Sequence, residues 1–172
     1  MNEINTVNKT KYGNIKLTWL PSLGTENHDA LPVKQVSGIV FDELGKLLIS
    51  RSTPTKNWGI AGGKPESSET LVDTLKRELL EEVNVKIKDT KLLGYIKVVE
   101  NFDTNPSELY YQAKMFGIVD KVLDSKVDPA SGNTYQRVFI PYKDLSMYIS
   151  WGDVGNIMFE TAYRELKNQI SK

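Results

Sequence analysis

The feature that most restricts the fold lies between Thr70 and Val83. Leu71, Leu75, Leu79 and Val83 recur every four residues, with Val72 on the same side. That spacing marks one face of an α-helix and does not suit the two-residue period of a strand. Thr70 and Asp73, three residues apart, predict a capping box at its start. At 100° per residue, Glu78, Glu81 and Glu82 fall within an arc of about 100° beside the apolar stripe. Like charges at these spacings repel. Solvent, a partner's cations or a bound metal could each offset that repulsion, and the glutamates alone leave a solvated acidic face open.

A helix with one apolar face needs a surface to cover it, and the flanking segments supply strands. VKQVSGIVF and KLLISR bracket Asp42-Glu43-Leu44-Gly45, which predicts an antiparallel hairpin. Lys16 to Leu20, VKI at Val85, LLGYIKVVE, ELYYQAKMFGIV and YQRVFI are further strand segments. A short helix is expected near Lys143 to Tyr148 and a C-terminal one from Met158 to Ile170. Strands interrupted by one helix and closed by another predict an α/β fold, a mixed β-sheet sandwiched between helices. The Asn- and Lys-rich start is expected to be mobile. Residues 1–35 read as an N-terminal extension carrying one strand, and residues 36–172 as the main domain.

Composition narrows the function. Lys plus Arg and Asp plus Glu are equal at 22 each. Bulk attraction to nucleic acid or to anionic membranes is therefore not expected. The absence of cysteine excludes disulfides, thiolate metal sites and a cysteine nucleophile. The polar first residues lack the apolar core of a signal peptide, and no apolar run reaches the ~20 residues of a membrane span. The expected location is cytoplasmic.

The stretch TPTKNWGIAGGKPESSE before the helix has two prolines and three glycines, and long irregular segments of this kind are often functional. It lets backbone groups approach whatever the glutamates hold. Hard divalent ions such as Mg²⁺ take a few carboxylates together with substrate phosphates. The spacing then becomes decisive. Gly63, Glu69 and Arg77-Glu78-Leu79-Leu80-Glu81-Glu82-Val83-Asn84-Val85 resemble the Nudix box of the Nudix hydrolase superfamily, whose order is Gly, Glu, Arg-Glu, an aliphatic residue, Glu-Glu, Gly and an aliphatic residue. Every charged position matches; Asn84 replaces the last glycine. Asn tolerates a left-handed backbone next best, so Asn84 is expected to be left-handed and the site intact.

The resemblance implies a metal-dependent pyrophosphohydrolase that cleaves a diphosphate linkage in a nucleoside diphosphate joined to another group. By position, Glu78 and Glu82 are the implied main ligands of Mg²⁺ or Mn²⁺, Glu81 a further ligand or the base for the attacking water, and the Gly62 carbonyl another ligand. Arg77 and Glu69 are implied to orient the others. Many relatives add an acid before a late strand. Tyr135-Gln136 stands at the comparable place and carries no acid; Asp128, Glu100 and Glu108 could substitute, though each reads more naturally as a surface residue. Arg51 and Lys64 could bind phosphate. Trp58, Phe102, Tyr110 and Tyr111 could stack a base, although strand aromatics usually belong to the core. His28 has no evident role.

Gly62-Gly63 is more similar to the nucleoside-triphosphate-cleaving members than to ADP-ribose hydrolases, which commonly carry Ala-Gly. Asn101-Phe102-Asp103 lacks the downstream proline or tyrosine of ADP-ribose and dinucleoside-polyphosphate types. The implied partner is thus a small nucleotide-type diphosphate, nucleoside di- or triphosphates first and ADP-ribose or a nucleotide sugar second. The N-terminal residues could cover the site or build a homodimer. A non-catalytic nucleotide sensor of the same fold would be expected to have lost box glutamates. An isopentenyl diphosphate isomerase would need a cysteine.

Overall fold

The computed structural model describes residues 4–10, 13–22, 31–52, 57–101, 108–129 and 132–171. Two antiparallel strands come first, β1 (Ile4–Thr10) and β2 (Gly13–Pro21). The segment whose composition suggests a mobile start carries a strand: Ile4 to Thr10 pair with Trp19 to Gly13 residue by residue. Ile4 packs on the core and Thr18 Oγ1 donates to Asn5 Oδ1 at 2.5 Å, so cross-strand partners order a segment that is polar in composition.

Next come β3 (Val33–Phe41), β4 (Lys46–Ser52), the two-residue β5 (Gly62–Gly63) and α1 (Leu71–Glu82). The strands β6 (Val85–Glu100), β7 (Glu108–Val122) and β8 (Tyr135–Pro141) follow, then a 3₁₀ turn at Tyr142–Met147 and α2 (Gly152–Ile170). The order across the sheet is β1-β2-β6-β7-β3-β4-β8, with β5 also paired to β3. β3 and β7 run parallel and the other pairs antiparallel, which makes the sheet mixed.

Alternation along β3 divides the core between the two faces. Val36 and Val40 join Leu75, Leu79 and Val83 under α1; Ile39 and Phe41 join Met158, Phe159 and Ala162 under α2. Leu75 and Leu79 are fully buried, each worth roughly 1.5–3 kcal/mol of apolar transfer. The fold is therefore the α/β sandwich expected from the sequence.

Three segments differ from expectation. VKI and LLGYIKVVE are one strand, β6, interrupted by register shifts near Lys86, Lys88 and Leu92. Asp89 has φ 51 at one of these breaks, a turn-like conformation that hid the continuity. Helix α2 begins at Gly152 rather than Met158; Gly152 and Gly155, poor helix formers by propensity, hid its first turns in the sequence. Trp151 and Phe159, with ring centroids 5.6 Å apart, and buried Val154 hold that first turn by packing instead. The hairpin around Asp42 to Gly45 forms, with Asp42 Oδ1 accepting from the Leu44 and Lys46 amides, but β3 and β4 stay paired only near Phe41 and Leu47.

Beyond that point the two strands splay, and the chain from Gly59 to Gly63 fills the gap. Gly59 exchanges two backbone hydrogen bonds with Ser50, Ala61 accepts from the Gly38 amide, and Gly62 and Gly63 pair with Ser37 and Val36. Backbone groups of both strands are satisfied by this wedge. It also fixes the Gly-rich segment in the sheet, against α1.

Candidate active site

Helix α1 starts as its sequence dictates. The Asp73 amide donates to Thr70 Oγ1 at 3.1 Å and the Thr70 amide to Asp73 Oδ2 at 3.2 Å, a reciprocal capping box. Its end is held from outside. Arg137 of β8 donates to the carbonyls of Val83 and Leu123 and lies 3.4 Å from that of Asn84. The last turn of α1 carries no basic residue of its own, so Arg137 supplies the cation at the negative end of the helix. Asn84 has φ 54, the left-handed conformation expected of it. Its side chain is buried, with Nδ2 unpartnered.

Arg77 is the hub of the cluster. Its Nε and Nη2 grip Glu69 at 2.7 and 3.0 Å. Nη1 donates to Glu78 Oε1 at 2.8 Å and to Glu81 Oε2 at 3.1 Å, and Nη2 also donates to the Lys64 carbonyl at 3.0 Å. This fork geometry is what guanidinium provides and ammonium does not. The Arg77 guanidinium, foremost by hydrogen bonding, holds Glu69 down at about 2. Glu69 in turn accepts from Thr74 Oγ1 and the Glu66 amide, tying the start of α1 to the loop before it. Arg77 and Glu69 thus orient the cluster, and Arg77 touches two of its three glutamates.

Glu82 points the other way. Its Oε2 accepts from the Gly62 amide at 3.0 Å, and Tyr135 hydrogen-bonds to it as well. Burial nevertheless pushes Glu82 up to about 7, with Glu78 and Asp128 adding negative charge nearby. Glu78 is raised too, by burial first, while Arg77 pulls it back. The glycines are required here. A Cβ on Gly63 would run into the Glu78 carboxylate, and one on Gly62 into the Val36 carbonyl.

Asp128 is the residue the sequence reading placed wrongly. It is 4% exposed rather than on the surface, and its charge raises both Glu78 and Glu82. Glu100 and Glu108 are engaged elsewhere, by Tyr110 and by Lys34. Arg51 and Trp58 are not brought to the carboxylates. Arg51 lies 4.6 Å over the Trp58 ring and donates to Gln136 Oε1 at 2.7 Å, on the α2 face of the sheet. Trp58 also meets Tyr148 edge-on. Tyr111 packs in the core against Tyr95. Lys64 is exposed and lines a cleft of 340 Å³ with Gly63, Lys34, Gln35 and Gln112. His28 and Phe102 lie outside the described residues.

Four carboxylates, Glu78, Glu81, Glu82 and Asp128, thus gather with one guanidinium, whose strongest partner is a fifth, Glu69. As they stand, Arg77 and the Gly62 amide hold the glutamates, and no group of three acid side chains among the described residues is set to grip an ion. The donor set still suits a hard divalent cation. It is all oxygen, in excess negative charge and partly desolvated, and Glu78 Oε2 and Glu81 Oε1 are left outside the Arg77 contacts.

Comparison with known proteins bears on the family and the fold. A stretch of 70 residues is 36% identical to an 8-oxo-dGTP diphosphatase of Buchnera aphidicola, spanning 40% of this chain and 55% of that protein. Another of 69 residues is 41% identical to an uncharacterized Nudix hydrolase of Nostoc sp., spanning 36% of this chain and 41% of that protein. The chain thus matches about half the length of these relatives. Among solved structures, the Bacillus subtilis pyrophosphohydrolase BsRppH superimposes with a TM-score of 0.70 at 20% identity, covering 96% of this chain and 98% of that one. A MutT protein from Methanosarcina mazei gives 0.53 at 19% identity, over 80% and 98%. At these identities the structures speak for the fold. The profile of the NUDIX domain matches residues 31–158. The chain belongs to the NUDIX domain family.

Proposed function

We propose that this protein is a divalent-metal-dependent hydrolase of nucleotide-type diphosphate linkages, acting on nucleoside di- or triphosphates. The observation that carries the reading is the desolvated carboxylate group of Glu78, Glu82 and Asp128, beneath the Gly62–Gly63 backbone, with Arg77 as the cation in contact. Glu78 and Glu82, joined by Glu81 and the Gly62 carbonyl, are the residues that would hold Mg²⁺ or Mn²⁺. When bound, such an ion neutralises phosphate charge and lowers the pKa of coordinated water. The chain's own part is positional. Arg77, clamped by Glu69, fixes the Glu78 and Glu81 carboxylates; the Gly62 amide and Tyr135 fix Glu82. A carboxylate set in this way takes the proton of an attacking water, and Glu81, the most exposed of the three, serves that step. The diphosphatase named among the relatives supports a nucleoside triphosphate as substrate.

The test is phosphate and pyrophosphate release across nucleoside di- and triphosphates, ADP-ribose and nucleotide sugars, with Mg²⁺, with Mn²⁺ and after chelation. Release that needs the ion and returns on its addition is expected. Unchanged turnover after thorough chelation would refute the metal assignment.

A further inference from the structure

On the other face of the sheet, between β2, β7 and the first turn of α2, lies a cavity of 470 Å³ whose walls include Leu17, Ile60, Ile96 and Trp151. These four side chains suit a flat ring, and Thr6, Asn8, Gln35, Ser37 and Gln112 add polar groups to the lining. Lys114 of β7 also lines it and is 3% exposed. Among the described residues its side chain has one hydrogen-bond partner, the hydroxyl of Ser37, with Nζ to Oγ at 3.3 Å. No carboxylate of the described residues lines the cavity. Burial alone pulls Lys114 down to about 8, and no acid contributes. An ammonium has three donors and no acceptor, so Lys114 keeps unused donors in a desolvated place.

The cavity connects to the carboxylates. Gln35 and Gln112 line both this cavity and the open cleft that Gly63, Lys64 and Lys34 share with Glu100 and Glu108, the last paired to Lys34. Gly63 in turn abuts Glu78, and Ser37 is the strand partner of Gly62. A ligand with a ring in the inner cavity and phosphates in the outer cleft therefore reaches the carboxylate group. We propose that Lys114 is a specificity-determining residue that donates to the carbonyl edge of a keto-bearing nucleobase in this cavity. The proposal rests on the reading of the carboxylate site as a nucleotide site. Guanine presents O6 beside N7 as acceptors and thymine O4, whereas adenine keeps N7 but carries an amino donor in place of O6, and cytosine carries one in place of O4. A donor-only ammonium pairs with the first group and opposes the second.

The test uses the full chain and measures binding of GMP and AMP by calorimetry without metal, beside kcat/KM for GTP and ATP with Mg²⁺. For wild type, GMP is expected to bind about 10- to 100-fold more tightly than AMP, the range of one hydrogen bond to a charged group. Lys114→Met keeps the length of the side chain and removes the charge. It should abolish the preference by weakening GMP while leaving AMP nearly unchanged, with a melting temperature no lower than wild type. Lys114→Gln keeps one N–H donor and should retain part of the preference. Equal losses for GMP and AMP, an unaltered preference in Lys114→Met, or no binding of either nucleotide to wild type would each overturn the proposal. Binding that follows the prediction without any hydrolysis would leave Lys114 as proposed and remove the hydrolase reading instead. Hydrolysis with no base preference would do the reverse.

Discussion

Replacing Glu82 by Gln separates a site residue from a scaffold residue, because the two roles predict opposite signs. Glu82 accepts hydrogen bonds from the Gly62 amide and from Tyr135, and both favour its ionised form. Burial outweighs them and carries its pKa from an ordinary 4.5 to about 7. Below pH 4.5 the carboxyl is neutral in both folded and unfolded chains and contributes no penalty. Between 4.5 and 7 the unfolded chain gives up the proton first, so stability falls as pH rises. Above 7 the whole penalty is present. The difference of about 2.5 units corresponds to about 3 kcal/mol at 1.36 kcal/mol per unit.

Gln keeps the volume and one acceptor oxygen and cannot ionise. In metal-free protein, Glu82→Gln should therefore be stabilising by about 3 kcal/mol at pH 8 and close to neutral at pH 4.5. At this chain length each kcal/mol moves the melting temperature by about 2–4 °C, so the gain is easily read. Urea unfolding of wild type and variant in chelator, at both pH values, gives the comparison. Turnover with Mg²⁺ should fall at least ~10²-fold in the same variant, since charge placed at the metal is worth several kcal/mol. A difference between the two proteins that does not change with pH would refute the buried-carboxylate argument. Near-normal turnover would refute Glu82 as a ligand.

Three other outcomes follow from the geometry. Asn84→Gly should be neutral or slightly stabilising, because it removes a buried Nδ2 without a partner, while Asn84→Val should cost about 1–2 kcal/mol at φ 54; equal melting of both variants would contradict the left-handed assignment. Gly63→Ala should lower kcat about 10²-fold by displacing the Glu78 carboxylate, with far-UV circular dichroism unchanged; wild-type kcat would show that Glu78 need not stay where it is. Arg137→Met should destabilise the fold by about 2–4 kcal/mol in urea, since it strands the Val83 and Leu123 carbonyls, and a loss below about 0.5 kcal/mol would show that water replaces the guanidinium.

What could be seen in the sequence is what local chemistry decides. Helix α1 was legible because its apolar period, its Thr70–Asp73 cap and its left-handed Asn84 each depend on residues a turn or two away. The box glutamates were legible for the same reason. Strand β1 was not, since Asn and Lys carry little strand preference and its order comes from pairing with β2. Arg137 was equally hidden. It caps α1 from 54 residues downstream, and no local pattern in YQRVFI distinguishes a capping arginine from a surface one. Lys114 did leave a signal, a lone cation inside the apolar run AKMFG, but alternation alone does not say which face is enclosed.

Asp128 bears on how the charge of the site is set. Glu78, Glu81 and Glu82 come with the helix and are partly neutralised by Arg77 of that same helix, so the local motif carries much of its own compensation. Asp128 arrives from the connection between β7 and β8, where its backbone bonds to Asn133 and Gly132 hold it in a tight turn. It adds negative charge beside Glu82, which Arg77 does not touch, and beside Glu78, which Arg77 holds at one oxygen only. Each added carboxylate raises the cost of ionising the others. An oxygen-rich site for a divalent cation gains from it directly, since the cation turns that mutual repulsion into shared attraction. The acid that sequence spacing could not locate is therefore the one whose position argues most directly for a cation at this site.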